Sequence, residues 1–209
     1  MAGDDALVWI DCEMTGLDPE TDEILEIFCI ITTGTLEVVD AAGWGVVVHQ
    51  PPKRLAQMGA WCAATHERSG LTAASLASTV SAAAAAEGLL AYVRRHVPQA
   101  GTALLAGNSV HADRAFLARG PYRAVLDHLH YRILDVSSLK EAARRWCPAG
   151  VLAGAPVKRA LHQARNDILE SIAEARYYKD AIFAGGGDDG GLRWRGESLE
   201  KDVERAGED

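Results

Sequence analysis

The chain is short of several features, and each absence narrows what it can be. Its 209 residues contain no run of 18 apolar positions, so no stretch is long and apolar enough to cross a membrane as a helix. Cysteine is sparse: Cys12, Cys29, Cys62 and Cys147 lie far apart and form no CxxC pair. That spacing excludes a zinc ribbon or a secreted disulfide framework and fits a reducing intracellular compartment, cytoplasmic or mitochondrial. Basic residues are the minority, 21 Lys and Arg against 29 Asp and Glu, for a net charge of −8. A broad positive surface for gripping long nucleic acid is therefore missing. The acidity is uneven: eight acids and four bases follow Ala184, so half the net charge sits in the last stretch. Acids in the body that hold metal would leave a working surface close to neutral, which suits a short anionic substrate. The start, Met1-Ala2-Gly3-Asp4-Asp5, is short and acidic, unlike a signal or transit peptide.

What is present is ordinary for an α/β protein, 48% hydrophobic and 24% charged, in a length that fits one domain with a substantial core. Leu7–Glu13 and Ile24–Ile31 read as buried strands, and Leu36–Val39 with Trp44–Val48 as a third strand region in an antiparallel meander. Helices are predicted over Lys53–Cys62 and over the alanine-rich run Ser81–His96. Thr102–Gly107 is a fourth strand, followed by a helix from His111 to Arg119, and Tyr131–Val136 is a fifth. Ser137 is expected to cap a helix that Pro148 stops, and the last helix runs from Gln163 to Phe183. The pattern predicts a mixed sheet of about five strands flanked by helices, with 184–209 as a flexible acidic extension.

The chemistry-bearing residues begin at the end of the first strand. Asp11 and Glu13 stand at i and i+2, so both point to one face. Such a pair is either a divalent-cation site or ordinary surface acid where a strand meets solvent. Asp113, early in the helix after Gly107-Asn108-Ser109, reads alone as an acid favoured by the helix dipole. His162 and Asp167 bracket the start of the last helix. Their joint occurrence in this order gives four carboxylates and an imidazole. That set suits two-metal phosphodiester hydrolysis, with the histidine as general base for the attacking water.

On these motifs the chain resembles the oligoribonucleases, in the DEDDh branch of the DnaQ-like 3′→5′ exonucleases. The resemblance runs over about residues 7–183. It is carried by Trp9–Leu17, Thr65-His66 with Ser69-Gly70-Leu71, Gly107-Asn108-Ser109 with Asp113, His130-Tyr131-Arg132 with Leu134–Ser137, and His162-Gln163-Ala164 with Asp167. It implies an RNase H-like five-stranded mixed sheet in an exonuclease domain over residues 1–183, and a homodimer. It also implies hydrolysis of RNAs a few residues long, especially dinucleotides, to 5′-mononucleotides with two Mg²⁺ or Mn²⁺ ions per site. Asp11, Glu13, Asp113 and Asp167 correspond to the metal acids and His162 to the base. Where many relatives carry two adjacent acids, this chain has Asn166-Asp167, so only Asp167 is available. Leu17 matches a residue that wedges against the terminal bases. Asn108 belongs to one of the matching motifs, and Ser109, His66, Tyr131 and Arg132 match residues holding the substrate's 5′ end. The Tyr131–Arg132 pair is expected to reach the partner's site. An arginine and hydroxyls suit a terminal phosphate.

Blander readings stand beside these. Leu17 can pack under its turn, Tyr131 and Arg132 can form an aromatic–cation surface pair, and Trp61 and Trp146 can be core residues, although Trp61 is also a candidate base contact. The alternatives to short-RNA hydrolysis are an exonuclease for longer single-stranded RNA or DNA, and a non-catalytic nucleotide-binding module. The first would need a basic groove, and the second has no use for four clustered acids.

Overall fold

The structure, a computed structural model, describes residues 5–157 and 163–183. Five strands, β1 (Leu7–Met14), β2 (Ile24–Thr32), β3 (Trp44–Val47), β4 (Leu104–Gly107) and β5 (His130–Asp135), form one sheet in the order β3-β2-β1-β4-β5. The first three pair antiparallel, while β4 and β5 join parallel to β1. Around the sheet lie α1 (Pro52–Leu55), α2 (Ala60–Ser69), α3 (Leu71–Ala77), α4 (Ala82–His96), α5 (His111–Leu117), α6 (Arg123–His128), α7 (Val136–Trp146), α8 (Ala149–Ala153) and α9 (Ala164–Tyr178).

The central strand is buried from Leu7 to Ile10, as a continuous apolar run with neighbours on both edges requires. Its alternation feeds two cores. Val8, Ile10 and Cys12 pack with residues of α4, α5 and α6, including Leu89, Leu117 and Val125. Leu7 and Trp9 pack on the other side with Val136 and Ala143 of α7 and Ile168, Ile172 and Ala175 of α9. Asp11 and Glu13 continue the Leu7–Trp9 face, so β1 delivers its two acids on the α9 side.

Several boundaries differ from those predicted. The helix expected over 53–62 is two helices, because Gly59 is extended (φ −62, ψ 155) and starts α2 afresh. That helix runs on to Ser69, where Gly70 (φ +78) takes the left-handed geometry that ends it and opens α3. Leu36–Val39 makes one isolated bridge, Thr32 to Val38. Leu36 itself is left-handed (φ +71), and its carbonyl accepts hydrogen bonds from the Arg176 guanidinium on α9. Asp135, not Ser137, caps α7 by accepting from the Ser137 N–H. The last helix ends as an α-helix at Tyr178 and continues as a π turn over Lys179–Phe183. The proposed tail, 184–209, and His162 lie outside the described residues.

Candidate active site

The far end of β1 outruns its parallel neighbour. Pairing with β4 stops at Trp9–Ala106, whereas β1 continues to Met14. Past that point a carboxylate replaces the missing strand: the Cys12 N–H donates to Asp113 Oδ1 at 3.0 Å. Asp113 sits in the first turn of α5, favourably placed for the helix dipole, and is 6% exposed. On the other face, Asp11 and Glu13 meet Asp167 from the first turn of α9. These three each offer an oxygen, all within 4.8 Å of one another. Asp167 Oδ2 also accepts from the Gln163 N–H at 3.1 Å, which orients the carboxyl. The four predicted acids thus come from three elements and converge on the end of one strand.

Burial and mutual repulsion mark the cluster. Asp11 is held well above the usual carboxylate range, first by burial, then by the charges of Asp113, Glu13 and Asp167. Burial followed by Asp167 and Glu26 pushes Glu13 up to about 7. Asp113 is also pushed up to about 7 by burial, against the pull of the Cys12 N–H. At neutral pH these groups need either protons or a cation. The donor set fits a hard divalent ion, because every ligand atom that the described residues bring to the cluster is a carboxylate oxygen. Cys12 points into the opposite core, and burial pushes its thiol up, so sulfur stays out of the set.

The candidate substrate residues divide in two by exposure, and the parallel register puts Tyr131 and Arg132 at the Leu7 end of the sheet, away from this chain's own acids. Leu17, Trp61 and Tyr131 are exposed, at 84%, 65% and 71%. The loop that displays Leu17 is braced from below. Thr15 Oγ1 donates to Asp22 at 2.8 Å, the Asp18 N–H donates to the same carboxylate, and Arg54 bonds both Asp22 and Thr15. The fit is close at Gly16, where a Cβ would lie 2.2 Å from the Asp22 carboxylate. Ser109 is exposed and left-handed (φ +51), a costly backbone state for serine, and is held there by its N–H bonds to Asp135 and Ser137. Tyr131 and Arg132 stand exposed on the edge strand, with the guanidinium 5.3 Å from the ring centroid. His66 and Asn108 turn inward instead. The His66 ring is 2% exposed, with Nε2 2.8 Å from the Met14 carbonyl, so it steadies the end of β1. The Asn108 amide has three internal partners, Ser137, Ser171 and Glu174. His162 lies outside the described residues.

Three contributors escape the sequence reading. Glu26 faces Glu13 across the β1–β2 pair, and its carboxylate accepts from the Ala164 N–H at the start of α9. Its signal was an acid inside the apolar run Ile24–Ile31. Glu174 is 2% exposed on the inner face of α9, and Arg54 holds the Leu17 loop. Neither stands out without the fold.

Comparison with known proteins decides the family. Residues 8–175 match the RNase_T exonuclease family. An oligoribonuclease of Rhodococcus jostii is 48% identical over 180 residues, covering 86% of this chain and 88% of that protein. The chain belongs to the oligoribonuclease family. A mitochondrial oligoribonuclease of Saccharomyces cerevisiae is 50% identical over 180 residues, which cover 83% of this chain, and the chain spans 66% of that relative's length. Among solved structures, the Mg²⁺- and Mn²⁺-bound form of S. pombe Pop2p superposes with a TM-score of 0.66 at 13% identity, covering 87% of this chain and 86% of that one. Product-bound exonuclease I does so with a TM-score of 0.63 at 15% identity, over 86% of this chain and 46% of that one. At such identities these two speak for the fold, the five-stranded mixed sheet flanked by helices of an RNase H-like exonuclease.

Proposed function

We propose that the chain hydrolyses very short RNAs, dinucleotides above all, from the 3′ end to 5′-mononucleotides, using two divalent ions, Mg²⁺ or Mn²⁺. The observation that carries the reading is the meeting of Asp11, Glu13 and Asp167 within 4.8 Å at the end of β1, with Asp113 behind them. Ions held by these four acids would supply positive charge against the negative charge that builds on the phosphate during cleavage. The chain's own residues do the rest. Asp113, tied to the Cys12 N–H, keeps the β1 end in register with α5. Asp167, oriented by the Gln163 N–H, closes the α9 side. His162, a few residues upstream of Asp167, accepts the proton of the attacking water in this scheme.

Substrate length follows from the surroundings. Leu17 on its braced loop packs against the terminal base, with Trp61 as a second apolar surface. Ser109, Tyr131 and Arg132 receive the 5′ end, the last two from the partner of a homodimer, while His66 and Asn108 shape the walls. An exposed edge strand carrying Tyr131 and Arg132 supports that arrangement. A net charge of −8 argues against an enzyme that tracks long strands through a basic channel. The catalytic domain in this scheme is residues 1–183, with 184–209 an appended acidic segment.

The test is substitution of the acids. Asp11→Ala and Asp167→Ala should each abolish Mg²⁺-dependent hydrolysis of a dinucleotide while the circular dichroism spectrum stays that of the parent. Full activity in either folded variant overturns the metal-site assignment.

A further inference from the structure

The inner face of α9 carries a polar stripe through an otherwise apolar interface. Asp167, Ser171, Glu174 and Tyr178 follow at intervals of four, three and four residues, one above another on the helix. They sit beside Ile168, Ile172 and Ala175, which belong to the core under β1. The stripe is linked along its length. Ser171 Oγ donates to the Asp167 carbonyl at 2.7 Å, and the Tyr178 hydroxyl donates to Glu174 Oε1 at 3.2 Å. The Asn108 amide docks across the middle, its Nδ2 donating to Ser171 Oγ and Glu174 Oε2, both at 3.1 Å. At its other end, Asn108 Oδ1 accepts from Ser137 Oγ at 2.9 Å. Lys140 Nζ of α7 lies 3.6 Å from Glu174 Oε1.

A carboxylate that is 2% exposed is an expensive way to fill a core, since an apolar side chain of similar size would do so without desolvating a charge. What the carboxylate supplies is direction. It accepts and cannot donate, so the amide nitrogen of Asn108 must face α9 and its oxygen must face Ser137. Asn108 immediately precedes the left-handed Ser109 and lies in the loop that launches α5 with Asp113. Glu174 lies two helical turns from Asp167 on the same face. The junction therefore joins the loop behind one acid to the helix that carries another.

We propose that Glu174 is a positioning residue, whose buried carboxylate locks Asn108 against α9 and thereby sets the placement of Asp113 relative to Asp167. This rests on the reading of the four acids as a metal site. The test uses Glu174→Met, which keeps the length without the charge, Asn108→Ala, which breaks the junction from the loop side, and Glu174→Gln, which retains an acceptor for Asn108. Each full-length protein is measured for metal-free melting temperature, for Mn²⁺ affinity by titration calorimetry, and for kcat and KM on a dinucleotide with Mg²⁺. Expected are near-parental melting and an unchanged KM in Glu174→Met, and a lowered melting temperature in Asn108→Ala, which leaves the buried Glu174 carboxylate short of a donor. Both should show about tenfold or greater loss of Mn²⁺ affinity with a lower kcat, and Glu174→Gln should show substantial recovery. The double variant Glu174→Met/Asn108→Ala should be no worse than either single one. Parental Mn²⁺ affinity and kcat in folded Glu174→Met, or in Asn108→Ala should the first not fold, overturn the proposal. A parent protein that binds no Mn²⁺ would sink the metal-site reading, and this one with it.

Discussion

Replacing Asp113 by asparagine separates what this acid does to the fold from what it does for the site. Burial lifts its carboxyl from 3.8 to about 7 in the folded protein, so the native state holds that proton more tightly than the unfolded chain does. Ionisation then works against folding. The penalty is absent below about pH 4, grows as pH rises from there to about 7, and is full above that. At about 1.4 kcal/mol for each tenfold difference in proton affinity, it amounts to at most about 4 kcal/mol at pH 8. Asparagine keeps an Oδ1 for the Cys12 N–H and carries no charge, so it retains the hydrogen bond and loses the penalty. The metal-free Asp113→Asn protein should melt above the parent at pH 8, by at most roughly 8–16 °C, given about 2–4 °C per kcal/mol for a chain of this size. At pH 5 the gap should shrink to less than half. Saturating Mg²⁺ should reverse the order, because the parent gains binding free energy that the variant lacks, and dinucleotide hydrolysis should fall by about 10² or more. Scanning calorimetry in EDTA and in Mg²⁺ at both pH values decides it. A variant less stable than the parent at pH 8 in EDTA refutes the reasoning.

Arg54→Ala removes the guanidinium that braces Thr15 and Asp22 beneath Leu17. Steady-state kinetics should show KM for a dinucleotide rising about tenfold with kcat little changed, as expected when roughly 1.4 kcal/mol of loop ordering moves to the binding step. An unchanged KM would mean that the brace has no part in presenting Leu17. For the proposed sharing of sites between subunits, mixing inactive Tyr131→Ala with inactive Asp11→Ala should restore part of the activity once subunits exchange. No recovery, with exchange demonstrated by labelled subunits, counts against it.

The sequence made some of this plain and hid the rest for identifiable reasons. Strand β1 was readable because a run of apolar residues ends in an acid, a spacer and a second acid, and period-two alternation alone puts Asp11 and Glu13 on one face. Asp167 was readable because it opens a long helix with apolar residues at helical spacing. Glu26 was not, since its place opposite Glu13 depends on the β1–β2 register, which no local pattern encodes. The inward turns of His66 and Asn108 were hidden for the same reason: their partners are 52 residues away for His66, and 29, 63 and 66 away for Asn108. Most of α2 and all of α3 were hidden because Gly59 and Gly70 punctuate an alanine-rich stretch with few large apolar residues to mark a buried face. Leu36, with strand-like neighbours, instead closes a turn by donating its N–H to the Thr33 carbonyl, while its own carbonyl accepts from Arg176 of α9.

The claim that matters most is metal-dependent hydrolysis of very short RNA, and its most direct test is a ladder of 5′-labelled RNAs from a dinucleotide to about twenty residues. The ladder is incubated with the parent protein in Mg²⁺ and, in parallel, in EDTA. Dinucleotides should be cleaved far faster per 3′ end than the longest rungs, releasing 5′-mononucleotides, and EDTA should stop every reaction. Equal rates along the ladder, or cleavage that persists in EDTA, would contradict it.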